Sequence, residues 1–353
     1  MNEIYELTVC PWTPGHPRND HQLIFPMKDG RLMLVWCEYY ADTPSLVMYV
    51  PYSHRRIGDN MPCRISAKIS TDIGRSWSDT FTLQDNIGRM NVKHPNLLRL
   101  PSNEILFTYT VRNSVSDLRI YMKRSNDECE TWSDSRQISS LSGMNFTNCD
   151  HILQLRSGRI LLPAHHGAFH GRGDHYQALC YYSDDDGHTW KPSEVRMDLP
   201  KRGAEEPSIV ELQDGSLLAV VRNSLGTVYK SHSNDGGESW ALPESTGLAA
   251  PASPPLLKQI PTTRDLLLIW NHNAALDHPH QRDRNPLTAA ISKDEGKTWE
   301  NIKDIENHLG YDSAYAAVTF VDDEALVTYY TRSAATYGES VKLKIFSMDW
   351  FYQ

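Results

Sequence analysis

An eight-residue pattern recurs five times in this chain: Ser, any residue, Asp, any residue, Gly, two residues, Trp. It reads STDIGRSW from Ser70 to Trp77, SDDDGHTW from Ser183 to Trp190, SNDGGESW from Ser233 to Trp240 and SKDEGKTW from Ser292 to Trp299. The fifth copy, SNDECETW from Ser125 to Trp132, carries Cys129 where the others have glycine. The tryptophans fall at 77, 132, 190, 240 and 299, which spaces the copies 50 (240 − 190) to 59 (299 − 240) residues apart. Such regularity marks an internal repeat whose units must stack on one another to bury their apolar faces. The motif has a structural job. Its Asp and Ser tie down a turn, its Gly permits a positive φ and its Trp supplies a large apolar body between units. The five aspartates are therefore not catalytic candidates, and Cys129 marks a relaxed turn with no redox role.

Each copy follows a pair of apolar runs joined by a turn. The clearest is EPSIVELQDGSLLAVVRNS, residues 206–224, where Asp214-Gly215 between β-formers signals a hairpin. Equivalent hairpins are read at 21–38, 96–114, 151–166, 254–273 and 316–333, the fifth in chain order, 254–273, being the least regular. Helix signals are nearly absent, and Gly and Pro, 20 of each, punctuate the chain throughout. Six all-β units of this length predict a six-bladed β-propeller of four-stranded antiparallel blades, one domain over residues 1–353. One terminal strand must close the ring by completing a blade built mostly from the other end, and LKIFSMDW, residues 343–350, is the C-terminal strand.

Composition narrows the function classes. The 353 residues carry 44 acidic and 35 basic side chains, a formal charge of −9, with no basic block, so nucleic acid is not an expected partner. No run approaches the length of a spanning helix. The N-terminal MNEIYELTVCPW lacks the charged and apolar regions of a secretory signal, and six scattered cysteines fit reduced thiols, so a cytoplasmic location is expected. No glycine-rich phosphate loop is present and no cofactor is implied. Closed sheet edges lead to the expectation of a monomer or a weak homo-oligomer.

In a propeller the innermost strands surround a central axis, so residues flanking them can meet in one pocket. Just before the first strand of each hairpin stand His21, His94, His151, Glu206, Pro254 or Pro255, and Tyr315. At the far end of the second stand Glu38, Arg112, His165 or His166, Arg222, His272 and Arg332. Ionisable or aromatic groups at equivalent points of nearly every unit make a polar, charged axial pocket. The tetrapeptide Val-Arg-Asn-Ser occurs in register twice, at 111–114 and 221–224, which makes Arg112 and Arg222 a candidate clamp.

With its five Asp-containing boxes the chain resembles the sialidase (neuraminidase) superfamily. EPSIVELQDGSLLAVVR is similar to the family segment that carries a catalytic glutamate and a substrate-binding arginine, which implies those roles for Glu206 and Arg222. Arg284, in RNPLTAAISKDEGKTW, resembles the arginine before the last box, and Tyr315 sits where the family keeps its tyrosine nucleophile. The family's first arginine has a less regular counterpart in PRNDHQLIF: Asp20 holds the strict position, and Arg18 or His21 stands in. Asp59, in GDNMPCR, matches the general acid by position. The resemblance implies retaining cleavage of a terminal acidic sugar, sialic acid or a related 2-keto acid. Arginines would hold the carboxylate. A neutral phenol can approach where that carboxylate would repel an anionic nucleophile. Glu206 would take the Tyr315 proton and Asp59 would protonate the leaving oxygen.

The histidines stand outside that scheme. His21, His94, His151, His165, His166, His170 and His175 are many, and AHHGAFHGRGDHYQ, residues 164–177, holds four of them with Arg172 in what reads as a long pocket-side loop. His21, His94, His151 and His166, with Arg18 and Arg112, are candidate substrate-binding groups for an acidic carbohydrate. Other readings remain open. One is a lyase acting on uronic acid glycans by His/Tyr acid–base chemistry. Another is a propeller that binds acidic glycans without turnover. A metal site on His151, His165 and His166 is a further reading with nonspecific spacing.

Overall fold

The computed structural model of the protein describes residues 4–40, 58–273 and 284–353. Almost everything regular in it is β, as expected, and the strands form four-stranded antiparallel arrays. Arg18–Pro26, Leu32–Tyr39, Cys63–Ser70 and Phe81–Gln84 pair in order, as do Glu205–Glu211, Leu217–Arg222, Thr227–Ser233 and Glu244–Ala249. Leu256–Gln259, Leu266–Asn271, Leu287–Ser292 and Glu300–Glu306 repeat the arrangement. The last array, Tyr311–Val321, Glu324–Ser333 and Glu339–Ser347, takes its fourth strand from the N-terminus: Tyr5–Cys10 pairs antiparallel with Glu339–Ser347. The chain ends are thus joined by a sheet, as the repeat reading required. No described helix is long and apolar enough to cross a membrane.

One unit departs from the expected hairpin. Over 151–166 only Leu153–Gln154 pairs with the neighbouring strand, and Met144–Thr147 pairs with Ala164–Gly167 instead. The reason is register. In the regular units the bulged residue lies six positions before the one that opens the turn: 21 and 27, 94 and 100, 206 and 212. His151 lies only four before its turn residue, Leu155.

The repeated box does what its residues predict. In all five copies the Ser hydroxyl accepts the N–H four residues on, at 2.8–3.0 Å, and the Asp carboxylate accepts the N–H four residues beyond itself, at 2.7–2.9 Å. Cys129 takes the glycine's left-handed conformation at φ 70° and keeps the turn. Three boxes rest on an earlier sheet, because a Cβ on the glycine would touch the leucine there: Gly187 against Leu106, Gly237 against Leu161 and Gly296 against Leu218. Gly74 meets Leu326 and Leu343 at the other end of the chain, so the packing runs round in a cycle.

Burial opposes ionisation of Asp185 and Asp294, but these hydrogen bonds outweigh it and hold both carboxyls down to about 2. Their stabilisation is present above the ordinary value near about 3.9 and is lost as pH falls towards about 2. Asp294→Ala removes the acceptor for the Thr298 N–H and hydroxyl. It is expected to cost about 1–2 kcal/mol, read as a lower urea midpoint, with sugar binding unchanged.

Candidate functional site

Four inner strands carry the same irregularity. Pairing skips a step between Asp20 and Leu23, Lys93 and Asn96, Glu205 and Ser208, and Ala314 and Ala317. In each bulge one non-glycine residue takes a positive φ: His21 at 48°, His94 at 57°, Glu206 at 45° and Tyr315 at 53°. A left-handed backbone at a side-chain-bearing residue is strained, and a bulge redirects its side chain. Here that strain turns all four groups into one cavity of about 170 Å³. Further bonds hold the strained backbones. Gln22 donates to the Tyr315 carbonyl at 2.6 Å, and the Glu206 N–H donates to His165 Nδ1 at 3.1 Å.

The chemistry of the cavity is concentrated on Tyr315 and Glu206. The Tyr315 hydroxyl donates to Glu206 Oε1 at 2.9 Å, and Arg222 Nη1 reaches Oε2 at 2.8 Å and the phenol oxygen at 3.4 Å. Burial works against the Glu206 charge, but the Arg222 guanidinium outweighs it and holds the carboxyl down to about 2, so it is an acceptor at neutral pH. Burial and the same carboxylate push the Tyr315 phenol well above its ordinary value, so its proton stays on until something removes it. Arg284 lies 5.3 Å over the Tyr315 ring and donates to the Tyr330 hydroxyl at 2.7 Å.

Arg18, rather than His21, brings a guanidinium from the first unit. It contacts Asp20 at 2.7 Å, Asp59 at 2.8 Å and Glu339 at 3.1 Å. Burial raises the Asp59 carboxyl, but Arg18, Lys93 and His170 overcome this and hold it well below the usual range. His21 also lines the cavity, its ring 4.2 Å from that of Tyr315, and His94 bonds Thr110 through Nδ1 at 2.9 Å. Arg112 lines it too, donating to the Asp59 carbonyl at 3.1 Å.

Two expected binding residues fall elsewhere. His151 is buried with Nδ1 on the Pro207 carbonyl at 2.9 Å and is outside the cavity lining, in keeping with its two-residue offset in the hairpin. His166 is also outside the cavity lining: consecutive strand residues face opposite sides, and His165 takes the inward position. Burial pushes the His165 ring down to about 3, so it is neutral, with Nδ1 as acceptor for Glu206. His151, His165 and His166 are accordingly not a metal site. Among the described residues the tightest possible donor group is Asp20, His21 and Cys37, but Arg18 already engages Asp20.

From the 164–177 segment, His170 and Tyr176 join the lining, bonded to each other at 2.7 Å, while His175 is exposed on Asp198. Lys93, Glu205, Arg202, Asp312 and Glu339 line it as well without having been singled out. Lys93 and Glu205 each directly precede a bulged residue, and it is the bulge that brings them in. Glu339 had no signal in the sequence, because only the pairing of Arg18 with Glu339 across two strands brings it in.

A sequence model described as the BNR repeat-like domain matches residues 59–328. A sialidase of Micromonospora viridifaciens is 30% identical over 138 residues, covering 35% of this chain and 19% of that protein. A sialidase of Clostridium perfringens is 25% identical over 211 residues, covering 51% of this chain and 53% of that protein. The chain thus spans about a fifth and about half of these curated relatives. Among solved structures, Trypanosoma rangeli sialidase in complex with the inhibitor DANA superposes with a TM-score of 0.71 at 16% identity, over 97% of this chain and 59% of that one. A protein of unknown function from Dyadobacter fermentans superposes with a TM-score of 0.77 at 17% identity, over 98% of this chain and all of the other. These likenesses establish a sialidase-type propeller fold.

Proposed function

We propose that this chain, which belongs to the BNR repeat-like domain family, is a retaining glycosidase of the sialidase type, acting on a terminal acidic sugar from a ring of six four-stranded blades. The strand pairings above and the cyclic packing of the boxes support the blade count. One observation carries the activity: the Tyr315 hydroxyl bonded to the Glu206 carboxylate at 2.9 Å in a cavity that also holds Arg18, Arg222 and Arg284. A uronide lyase would need Tyr315 or a histidine poised for a carbon-bound proton. Instead the phenol is already committed to a carboxylate base.

In the proposed reaction the three arginines hold the carboxylate of a sialic acid or related 2-keto sugar. The Tyr315 oxygen bonds to the anomeric carbon as its proton passes to Glu206, and the glycosidic bond breaks with the proton of Asp59 going to the leaving oxygen. Water, deprotonated by Asp59, then cleaves the tyrosyl–sugar bond, and the phenol recovers its proton from Glu206. Asp59 must be protonated to start this cycle, yet in the free protein Arg18 keeps it ionised. A substrate carboxylate entering the arginine group competes for Arg18. That competition raises the Asp59 carboxyl towards the range in which it can act as an acid, so substrate binding itself prepares the proton donor.

The test is hydrolysis of an aryl α-sialoside followed by NMR from the first turnover. Release of the α-anomer before mutarotation is expected. Release of the β-anomer overturns retention, tight binding without release favours a lectin-like propeller, and an unsaturated uronide from a polyuronic acid favours a lyase.

A further inference from the structure

The cationic groups of the cavity are unevenly matched with carboxylates. Arg18 has Asp20, Asp59 and Glu339. Arg202 has Asp174 and Glu205, Arg222 has Glu206, and Arg332 has Asp312 and Glu339. Arg284 has the Tyr330 hydroxyl and is needed for the substrate carboxylate in the function proposed above. Lys93 and Arg112 are left over. The Lys93 side chain is 4% exposed, and among the described residues its ammonium has no ion pair or hydrogen bond; the Tyr39 ring lies 5.8 Å away. Arg112 is 1% exposed and makes its bonds to two backbone carbonyls, Ser114 at 3.2 Å and Asp59 at 3.1 Å. Its Nη2 is buried without a partner.

We propose that Lys93 and Arg112 form a second anion subsite in this cavity, which takes a carboxylate borne by the leaving group of the substrate, so that the preferred substrate is an acidic sugar linked to another acidic sugar. Asp59 attracts both from beyond contact distance, but among the described residues neither has a carboxylate within ion-pair reach; a buried cation so placed is costly, and the two repel each other. Two such groups lining a ligand cavity are explained by an anion that arrives with the ligand. Burial and the neighbouring Arg18 and Arg112 guanidiniums, against the opposing pull of Asp59, leave the Lys93 ammonium below its ordinary range, and a bound anion would reverse this. Position supports the leaving-group side. Arg112 holds the backbone of Asp59, the residue that serves the leaving oxygen in the proposed reaction. Lys93 directly precedes bulged His94, and the two are brought to the cavity together. The inference rests on the proposed function for its first anion site and adds a second.

Binding is measured by calorimetry on the Tyr315→Phe protein, which holds substrates without turning them over. The probes are an α2,8-linked disialoside, 3′-sialyllactose with one carboxylate, and a ring-sulfated 3′-sialyllactose. The disialoside is expected to bind at least about tenfold more tightly than sialyllactose. Adding Lys93→Met or Arg112→Gln should remove that advantage and change sialyllactose binding less than about twofold. A preference for the sulfated ring alone moves the second anion onto the sugar itself and overturns the leaving-group assignment. Equal affinity for all three sugars, or equal loss for all in the variants, defeats the inference and leaves the proposed function standing. No binding of any sialoside defeats the proposed function and the inference with it. A sugar-free measurement stands beside these: relieved of an unmatched charge, unliganded Lys93→Met should melt about 2 °C higher. A lower melting temperature would mean that the lysine has a structural partner, and would overturn the subsite.

Discussion

Tyr315→Phe is expected to lower kcat for sialoside hydrolysis by about three to five orders of magnitude, with little change in stability. The phenol oxygen is the atom that bonds to the sugar in the proposed reaction, so its loss removes the covalent step and leaves only binding. A thousandfold loss corresponds to about 4 kcal/mol of transition-state stabilisation. The fold should tolerate the change. Glu206 keeps its bond to Arg222 at 2.8 Å, and the Tyr315 ring keeps its neighbours His21 and Tyr330. The measurement pairs initial rates on an aryl sialoside with a thermal melt. A variant retaining more than about a tenth of the activity at an unchanged melting temperature would show that Tyr315 is not the nucleophile.

The second large effect is expected at Asp59 and depends on the leaving group. Asp59→Ala should cost about 10²–10⁴-fold in kcat on a sialoside whose leaving group is a sugar hydroxyl, which departs poorly without a proton. On an aryl sialoside with an acidic phenol the cost in the first step should fall below about tenfold, because such a phenol leaves unassisted. A flat loss of kcat/KM on both substrates would assign Asp59 to holding Arg18 in place, the contact its carboxylate makes at 2.8 Å in the free protein. The variant frees one of the three carboxylates on Arg18. Its Kd for the monosialoside, measured on the Tyr315→Phe background where nothing turns over, is therefore expected to fall, a change that loss of the acid and base roles alone would not produce.

Most of the chemistry named from the sequence does reach the cavity. Glu206, Tyr315, His21 and His94 share one place in their hairpins, just before the first apolar run, and that equivalence between repeats was enough to find them. Arg222 and Arg112 were legible for the same reason, as repeated tetrapeptides in register. His151 misled because it resembles the others in the residues around it and differs in a two-residue offset, visible only once the turn at Leu155 is closed. His166 misled by parity: one step along a strand exchanges the two faces, and His165 holds the inner one. Lys93 was passed over because a strict alternation hides it, whereas the bulge at His94 brings both residues to the cavity.

The boxes and the β-units were set by the sequence alone, because their hydrogen bonds run between residues four apart and their apolar runs need only a local turn. The joining of the chain ends, the three carboxylates on Arg18 and the two unmatched cations were decided by the tertiary structure. Each depends on strands far apart in the chain meeting in a particular register, and no local preference encodes which residue then lies opposite which.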